Sequence, residues 1–297
     1  MNQRRTLRAF LGWTPSAALI LCAGAVCFAQ KPATVSPKSS AGKTILLPSQ
    51  MVAGTKATLA VLDSQGRLAP GVVVEFIGGA RVTTDSTGRA VFMAPAPGVS
   101  LAHLAGRGGN VPAVVLPAAE SGPAGLRVTS YARVVSLSDH FEVSGNGFQG
   151  DAGANHVTLG GKAALVAAAS TIALVVIPAP GLDAGPAQFT VESEGRASGP
   201  LPVTLVALEL SASKERLAAK ESGVLTVRVR GSSGRLVVEV RNLSPDLVAL
   251  ASGAVQQLTT SGGEDNTAQV KMRGVRPGDF SISARLVPLP PADETDR

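Results

Sequence analysis

The chain has 297 residues, a formal net charge of +6 and only 3% aromatic residues. Its two cysteines, Cys22 and Cys27, and its only tryptophan, Trp13, lie in the first 29 residues, so the rest excludes thiol nucleophiles, disulfides and cysteine-ligated zinc. Three arginines and no acid also lie there, which leaves a net charge of +3 on the remainder, too small and dispersed to predict nucleic-acid binding.

Residues 1–29 are predicted to be a cleaved signal peptide. Arginines precede an apolar run over residues 9–29 that closes with small residues, and cleavage is expected before Gln30. The alternative is a single membrane anchor, but Gly12, Pro15 and Gly24 interrupt the run and no stop-transfer charge cluster flanks it. We therefore expect a periplasmic or secreted protein with no integral membrane segment in the mature chain.

The rest of the chain is predicted to contain three modules and two disordered ends. Residues 30–43 and 290–297 are too poor in large apolar side chains to form a core. Between them we expect modules at residues 44–118, 124–206 and 207–289. A Pro/Gly/Ala/Ser linker separates the first two modules. No linker separates the last two, because LPVTLVALEL is strand-like throughout, and one strand is predicted to run from one module into the next.

In the first module, apolar and polar residues alternate with the period of a half-buried strand. In GVVVEFIG, Val72, Val74 and Phe76 are expected on one face. The turns DSQG and DSTG each begin with an aspartate that can accept a backbone N–H. The phrases VLDSQGRLAPGVVVEF and VTTDSTGRAVF are similar to bacterial immunoglobulin-like repeats of the invasin and intimin kind, and transthyretin-like and collagen-adhesin B-type domains share them. The resemblance implies a β-sandwich.

The second module carries a more specific pattern. It reads FEVSGNGFQG, then VTLGGKAALV, then ALVVIPAPGLDAGPAQFTVES, with glycines between short apolar strands. This order resembles the IPT/TIG family of immunoglobulin-like domains, although the opening VTSYARVVSLSDH lacks that family's usual proline and glycine. The resemblance implies a scaffold or binding surface. Residues 163–177 are predicted to form two strands and a turn rather than a membrane helix.

Apolar and polar residues also alternate in the third module. Every second residue is apolar in the segments LTVRVRG, AQVKMRG and FSISARLV, as expected for a sheet that is buried on one face. Residues 213–222 fit a short helix and a loop about equally well. The sequence thus predicts an all-β protein of three tandem immunoglobulin-like β-sandwich modules after a cleaved signal peptide.

The three histidines, His103, His140 and His156, do not predict a catalytic or metal site. Ser136 and Ser138 precede the pair Asp139 and His140, but a strand would direct the neighbouring pair to opposite faces. No two histidines have the spacing of zinc ligands. We therefore predict no catalytic residues, no metal and no cofactor, and the ligand-binding residues stay unknown.

Other polar motifs are better explained as turns. Residues 145–147 and 160–162 are predicted to be tight glycine turns rather than phosphate-binding loops. Asp151 and residues 264–266 match no calcium loop and are predicted to be solvated turns. The glycan-acceptor pattern at residues 242–244 is likewise interpreted as a β-turn.

The aromatic residues divide into core candidates and one exception. Phenylalanine side chains fall mostly on the inward phase of the strands, at Phe76, Phe92, Phe141, Phe148, Phe189 and Phe280. Tyr131 is the only further aromatic residue after the leader and the only candidate for a sugar-binding platform.

We therefore predict an exported, non-enzymatic scaffold or adhesion protein. Its expected partners are other envelope or extracellular proteins, with polysaccharide as a further candidate and nucleic acid excluded. The alternative is an accessory module that binds polysaccharide or a small ligand. A subunit of an envelope assembly is the third possibility.

Overall fold

A computed structural model describes residues 33–34, 42–106, 109–118 and 125–288. The predicted signal peptide, most of the segment 30–43 and the predicted tail 290–297 lie outside these residues. The described part is built from strands, with one 3₁₀ turn at Ala152–Ala154, which confirms the all-β prediction. None of its helical segments has the length and apolar character needed to span a bilayer.

The first nine strands are β1 (Ala33–Thr34), β2 (Thr44–Leu46), β3 (Gln50–Val52), β4 (Lys56–Leu62), β5 (Val73–Phe76), β6 (Arg81–Thr83), β7 (Arg89–Met93), β8 (Gly98–Leu104) and β9 (Val111–Leu116). One sheet has the order β3-β9-β8-β5-β6, and in the other β4 pairs with both β2 and β7. Asp63 and Asp85 accept backbone N–H groups in the turns after β4 and before β7, as predicted.

The next eight strands are β10 (Arg127–Tyr131), β11 (Val134–Ser136), β12 (Phe141–Asn146), β13 (Asn155–Leu159), β14 (Lys162–Ala169), β15 (Ala173–Ile177), β16 (Gly185–Ser193) and β17 (Arg196–Ala197). Strands β14 and β15 confirm the predicted pair of strands within residues 163–177. Gly160 and Gly161 connect β13 to β14, and both have positive φ, as a two-residue hairpin turn requires.

The last seven strands are β18 (Leu201–Ala212), β19 (Ser222–Arg230), β20 (Val237–Asn242), β21 (Val248–Leu250), β22 (Val255–Thr259), β23 (Thr267–Gly274) and β24 (Ile282–Leu286). One sheet contains β18-β19-β23-β21 and the other has the order β22-β20-β24. Residues 213–221 contain no helix, so the loop alternative holds there. Ala33–Thr34 pairs with β18 and departs from the predicted disorder of residues 30–43, because β18 supplies backbone partners there.

Strand β18 confirms the prediction of a strand shared by two parts of the chain. Residues 201–205 pair with β16, and residues 207–212 pair with β19. The strand runs through residues 205–208 without a break. Two sheets are therefore covalently continuous, and a hinge at this point would require breaking backbone hydrogen bonds.

Three apolar cores follow one another along the chain. They comprise buried residues within 45–115, within 135–205 and within 206–286. Phe76, Phe141, Phe148, Phe189 and Phe280 are buried as predicted, whereas Phe92 is half-buried against Phe76, with ring centroids 4.9 Å apart.

A fourth apolar cluster joins the first core to the second. Its buried members are Leu46, Ala60, Ala167, Ala168 and Val175. Small side chains allow the two sheets to approach closely, because alanine adds little bulk above the backbone. The sheets also share a β-bridge between Thr58 and Ala169. The sequence analysis did not predict this junction.

Polar contacts reinforce the same junction. The hydroxyl of Thr58 donates to the carbonyl of Gly150 at 2.6 Å and accepts from the N–H of Ala152 at 3.1 Å. The hydroxyl of Ser170 donates to the carbonyl of Gln50 at 2.7 Å. These hydrogen bonds satisfy polar groups that would otherwise be buried without partners.

Candidate functional site

A cavity of about 330 Å³ opens where three distant stretches of the chain meet. We call it the junction cavity. Ser49 between β2 and β3, the segment from β10 to β12, and Leu286 at the end of β24 all line it. Because the three stretches are far apart in sequence, the cavity exists only when all of them are in place.

Asp139 and His140 both line the junction cavity and contact each other. Nδ1 of His140 lies 3.0 Å from Oδ1 of Asp139, and the backbone N–H of His140 donates to the same oxygen at 2.8 Å. The prediction that the two side chains face apart was wrong, because both residues lie in the turn before β12 rather than in an alternating strand.

The serines near this pair do not complete a catalytic triad. The hydroxyl oxygens of Ser136 and Ser138 lie 3.1 Å apart and hydrogen-bond to each other. A nucleophilic serine needs its hydroxyl bonded to the histidine that removes its proton. Asp139 and His140 thus contribute a hydrogen-bonded polar pair to the cavity lining.

Glu142 contributes a second carboxylate to the junction cavity. Its Oε1 accepts from the hydroxyl of Ser49 at 2.5 Å, and its Oε2 accepts from the N–H of Ser49 at 3.1 Å. These two hydrogen bonds fix the carboxylate across a sequence separation of 93 residues. Glu142 forms no ion pair with any residue that the structure describes.

Tyr131 lines the junction cavity from the end of β10. Its ring and the ring of Phe189 form a T-shaped pair, with centroids 4.9 Å apart and an interplanar angle of 74°. Phe189 is one of the most deeply buried side chains of the second core. The tyrosine is thus half-buried and packed against the second core rather than free on the surface, and its role as a sugar-binding platform stays a prediction.

The pKa of Asp139 is lowered from its usual value. Burial raises this pKa, but the hydrogen bond and charge of His140 together with the charge of Arg285 outweigh the effect of burial. Arg285 itself makes two hydrogen bonds to the carboxylate of Glu239, at 3.0 and 3.1 Å. The ionised form of Asp139 is therefore favoured by folding.

This shift predicts how stability depends on pH. A depressed folded-state pKa stabilises the fold above the unfolded pKa, near 4, and that stabilisation is lost as the pH falls through the folded pKa. Asp139→Asn should therefore lower the free energy of unfolding at pH 7, and the difference from the wild type should shrink at pH 3. Urea unfolding at both pH values measures this, and an equal difference at the two would contradict it.

A second surface, the outer side of the five-stranded sheet, is apolar and exposed. Side chains of β8 and β9 alternate, so residues 100, 102, 113 and 115 are buried while their neighbours point outward. Val99 and Val114 are register partners and are 71% and 44% exposed. We call this surface the apolar face; it comprises Ile77, Val99, Leu101, Pro112, Val114 and Leu116.

Charged residues bound the apolar face on one side. Glu75 is the register partner of both Arg81 and His103. Nε2 of His103 lies 3.3 Å from Oε2 of Glu75, and Arg81 forms an ion pair with the other carboxylate oxygen. A polar edge beside an apolar centre is the arrangement of a protein interface with its rim.

The remaining motifs have structural roles. Gly145 lies in β12, so its predicted turn was wrong; glycine is needed there because a Cβ would overlap the carbonyl oxygen of Arg127. Asn266 is buried and donates to the carbonyls of Ser232 and Gly234, unlike the solvated turn that was predicted. Asp151 is exposed and accepts from the N–H of Gly153.

Two further motifs also lack a ligand-binding geometry. The side chain of Asn242 is buried, donates to the carbonyl of Val248 at 2.5 Å and accepts from the N–H of Ser244 at 2.9 Å. His156 is exposed on β13, apart from the junction cavity. Within the described residues, no group of three or more His, Cys, Asp and Glu side chains could hold a metal ion.

Sequence reasoning missed the apolar face and the role of Glu142. A signal for the face was present, because GVSLAHL and VPAVVL carry valine, leucine or proline on the outward phase where a solvated strand carries polar residues. Glu142 gave no such signal. Its partner Ser49 belongs to a different module of the predicted architecture, and only the fold brings them together.

Neither a protein-family model nor a curated protein matches the chain. Three solved structures illustrate the similarity that exists. The SGBP-B protein of the Bacteroides ovatus mixed-linkage glucan utilization locus, solved with a mixed-linkage heptasaccharide, is 12% identical over 80% of this chain and 73% of its own, with a TM-score of 0.30. The S-layer protein rSbsC is 15% identical over 86% of this chain and 39% of its own, with a TM-score of 0.19. Immunoglobulin domains 1–4 of Sidekick-1 are 11% identical over 80% of this chain and 76% of their own, with a TM-score of 0.23.

Proposed function

We propose that the chain is an exported, non-enzymatic scaffold or adhesion protein that contacts a protein partner at the cell envelope through the apolar face. The proposal includes three β-sandwich modules at residues 44–118, 124–206 and 207–289, of which the second resembles IPT/TIG domains and the first resembles invasin-type repeats. The observation that carries it is the exposed row of apolar side chains on β8 and β9.

The chemistry of the apolar face favours a protein partner. Soluble proteins rarely expose contiguous apolar patches, and those that do usually bury them against another macromolecule. Val99 and Val114 lie opposite each other in register, and Leu116, on the same strand and face as Val114, is 39% exposed. The face is built on the strands of a sheet rather than in a cleft, so it suits a broad contact better than a small ligand.

The junctions between the cores support the scaffold part of the proposal. Strand β18 belongs to two sheets, and the bridge between Thr58 and Ala169 joins a third. A partner that binds one end of such a platform is held at a defined position relative to the other end. Scaffolds and adhesion proteins need this property, and a hinged chain would lack it.

Among the described residues, the surroundings of the Asp139–His140 pair support a non-enzymatic role. In the described part of the chain, the Asp139–His140 pair has no serine bonded to the imidazole, and Ser136 bonds to Ser138 instead. Turnover of any substrate by the purified chain, lost on Asp139→Asn, would contradict this part of the proposal.

The alternative function is binding of a polysaccharide or a small ligand. Tyr131 favours it, because this tyrosine lines the junction cavity. Binding on a glycan array that disappears in a Tyr131→Leu variant would establish this alternative.

A charge placed on the apolar face tests the principal proposal. Val114→Lys should reduce recovery of the partner from envelope extract at least tenfold, because a buried lysine without a partner group opposes the contact. Val255→Lys is the matched control, since Val255 is 46% exposed on β22, far along the chain from the face. Both variants should melt like the wild type because the two side chains point outward.

A photoreactive amino acid at position 114 identifies what covers the face. Cross-linking in intact cells should give a heteromeric product at position 114 and none at position 255. A homodimer would show that a second copy is the occupant. Equal recovery by the wild type and Val114→Lys would overturn the proposal.

A further inference from the structure

We propose that the outer surface of strands β18, β19 and β23 binds an acidic polysaccharide. We call this surface the basic face; its outward-pointing charged residues are Glu209 on β18, Arg228 and Arg230 on β19, and Lys271 and Arg273 on β23. The inference is independent of the apolar face, which belongs to a different sheet. It rests on how the fold concentrates charge, on the register of the cations and on an adjoining cavity.

Strand alternation directs these cations into solvent. Along β19 and β23, the apolar residues of one phase are buried in the third core, and the residues of the other phase are exposed or half-buried. The side chains of Arg228 and Arg230 are 55% and 66% exposed, and Lys271 and Arg273 are exposed as well. A large partner can therefore reach all four cations from one side.

The basic face holds the positive excess of the chain. Four cations and one carboxylate give it a net charge of +3, which equals the net charge of all residues after position 29. The remaining charged residues of that part therefore balance one another. The lysine and arginine of β23 are far from the arginines of β19 in sequence, and the pairing of the two strands brings them onto one surface. A local excess of one sign attracts polymers of the opposite sign.

The two ends of the basic face differ in how their cations are paired. Nη1 of Arg230 lies 3.0 Å from Oε1 of Glu209, and Nη2 of Arg228 lies 3.6 Å from Oδ1 of Asp265, an exposed acid of the loop before β23. The two cations of β23 form no ion pair with any residue that the structure describes. Exposed ion pairs contribute little free energy, so an anionic polymer can replace the acids beside the two arginines.

The cations follow the length of the strands. Register sets Arg273 opposite Ser222 at the start of β19, and Arg230 lies at the other end of that strand. β19 has nine residues, so the cations extend over roughly 27 Å at the rise of a strand. Between them Thr226 and Gln269 are register partners, and their hydroxyl and amide groups can hydrogen-bond to sugar hydroxyls. A linear polymer with repeating carboxylates matches this arrangement, whereas a small ligand would reach one end only.

A cavity of about 380 Å³ adjoins the arginine end of the basic face. Arg228 and Arg230 line it together with Ser232, Ser233 and Glu264. Guanidinium groups bind carboxylates through two parallel hydrogen bonds, and serine hydroxyls hydrogen-bond to sugar oxygens. Ligand pockets in proteins usually begin at about 300 Å³, so this cavity has room for a sugar unit of the polymer.

The same surface disfavours other polyanions. Single-stranded nucleic acids are bound by stacking on aromatic side chains, and β18, β19 and β23 contain no aromatic residue. Duplex DNA is read by an element that enters a groove, and the middle of the basic face consists of strands alone. Binding to a lipid surface requires large apolar side chains beside the cations, whereas Thr226 and Gln269 occupy the middle of this face.

An acidic polymer and its neutral ester test the inference on the mature chain, from Gln30 onward. Polygalacturonate is compared with fully methyl-esterified polygalacturonate by titration calorimetry at pH 7 and low ionic strength. The acid form should bind with a Kd of about 100 μM or tighter, and the ester at least about tenfold more weakly, because the ester keeps the sugar and loses the charge. Duplex DNA, the competing polyanion, should also bind at least about tenfold more weakly than the acid form.

Paired variants assign the binding to the basic face. Lys271→Gln combined with Arg273→Gln should weaken binding of polygalacturonate at least about tenfold, because the face loses its two unpaired cations. Lys162→Gln combined with Arg133→Gln is the matched control, since it removes the same charge from exposed positions outside the face. This control should change the affinity by less than about twofold, because distant charges are screened. Both double variants should melt like the wild type, since all four side chains are exposed.

Four results would overturn the inference. They are the absence of binding by polygalacturonate, equal binding of the polymer and its ester, duplex DNA binding as tight as that of polygalacturonate, and an equal loss of affinity in the two double variants. Failure here leaves the Val114→Lys experiment unaffected, because the apolar face lies on the five-stranded sheet. Tyr131→Leu should leave binding of polygalacturonate unchanged, which separates the basic face from the alternative function.

Discussion

Replacing Phe189 with alanine is expected to lower the free energy of unfolding by about 3–5 kcal/mol. Phe189 is 1% exposed on β16 and contacts the rings of Tyr131 and Phe141, at centroid distances of 4.9 and 6.4 Å. Truncation removes the buried ring and leaves a cavity that the surrounding strands cannot close. Urea unfolding monitored by circular dichroism measures the change.

The matched control for this variant is Phe189→Leu. Leucine fills most of the space, so the loss should be much smaller than that of the alanine variant. A loss below about 1 kcal/mol in Phe189→Ala would contradict the central position of this residue.

Gly150→Ala is the second large effect that we expect. A Cβ at this position would overlap the carbonyl oxygen of Lys56 on β4. The carbonyl of Gly150 also accepts the hydroxyl of Thr58 at 2.6 Å, so the two segments cannot separate without losing a buried hydrogen bond. We expect a destabilisation of about 1–3 kcal/mol or more, as for other overpacked sites.

A neighbouring glycine provides the control. A Cβ at Gly153 would meet only the carboxylate oxygen of Asp151, at 3.4 Å, so Gly153→Ala should leave stability nearly unchanged. Both glycines lie in the same turn, and the comparison therefore isolates the contact with β4. Equal melting temperatures for the two variants would show that β4 does not pack against this turn.

Local patterns predicted most of the fold. Alternation placed Val74 and Phe76 in the core, and the strand-like run at residues 205–208 predicted the shared strand β18. Each of these predictions depends on residues that are neighbours in sequence. The physical rule is short-range, because the side chains of a strand alternate whatever the rest of the chain does.

Contacts between distant residues were not predictable in the same way. Ser49 meets Glu142 and Thr58 meets Gly150 across more than 90 residues. Alanines in β14 and the uninterrupted apolar run of β15 were hints that these strands are buried on both faces. They do not specify which sheet covers them. The junction cavity depends on the contact between Ser49 and Glu142 and was therefore missed.

The Asp139–His140 pair shows a different limit of prediction from sequence patterns. The alternation rule was applied to residues that precede the strand, and a turn allows neighbouring side chains to meet. The error concerned where β12 begins, and strand boundaries are the least specified part of a pattern. A difference of two residues there changed the interpretation of the site.

The shared strand β18 and the bridge between Thr58 and Ala169 predict that the three cores form one rigid platform, and a distance measurement between its ends tests this most directly. Spin labels are attached at Val91→Cys on β7 and Val255→Cys on β22, in a chain with Cys22 and Cys27 replaced by serine. Both valines are exposed, at 52% and 46%, so the labels should not disturb the cores. Pulsed electron resonance should give one narrow distance distribution, which broadens in Gly150→Ala. A broad distribution in the unaltered background would contradict a rigid platform.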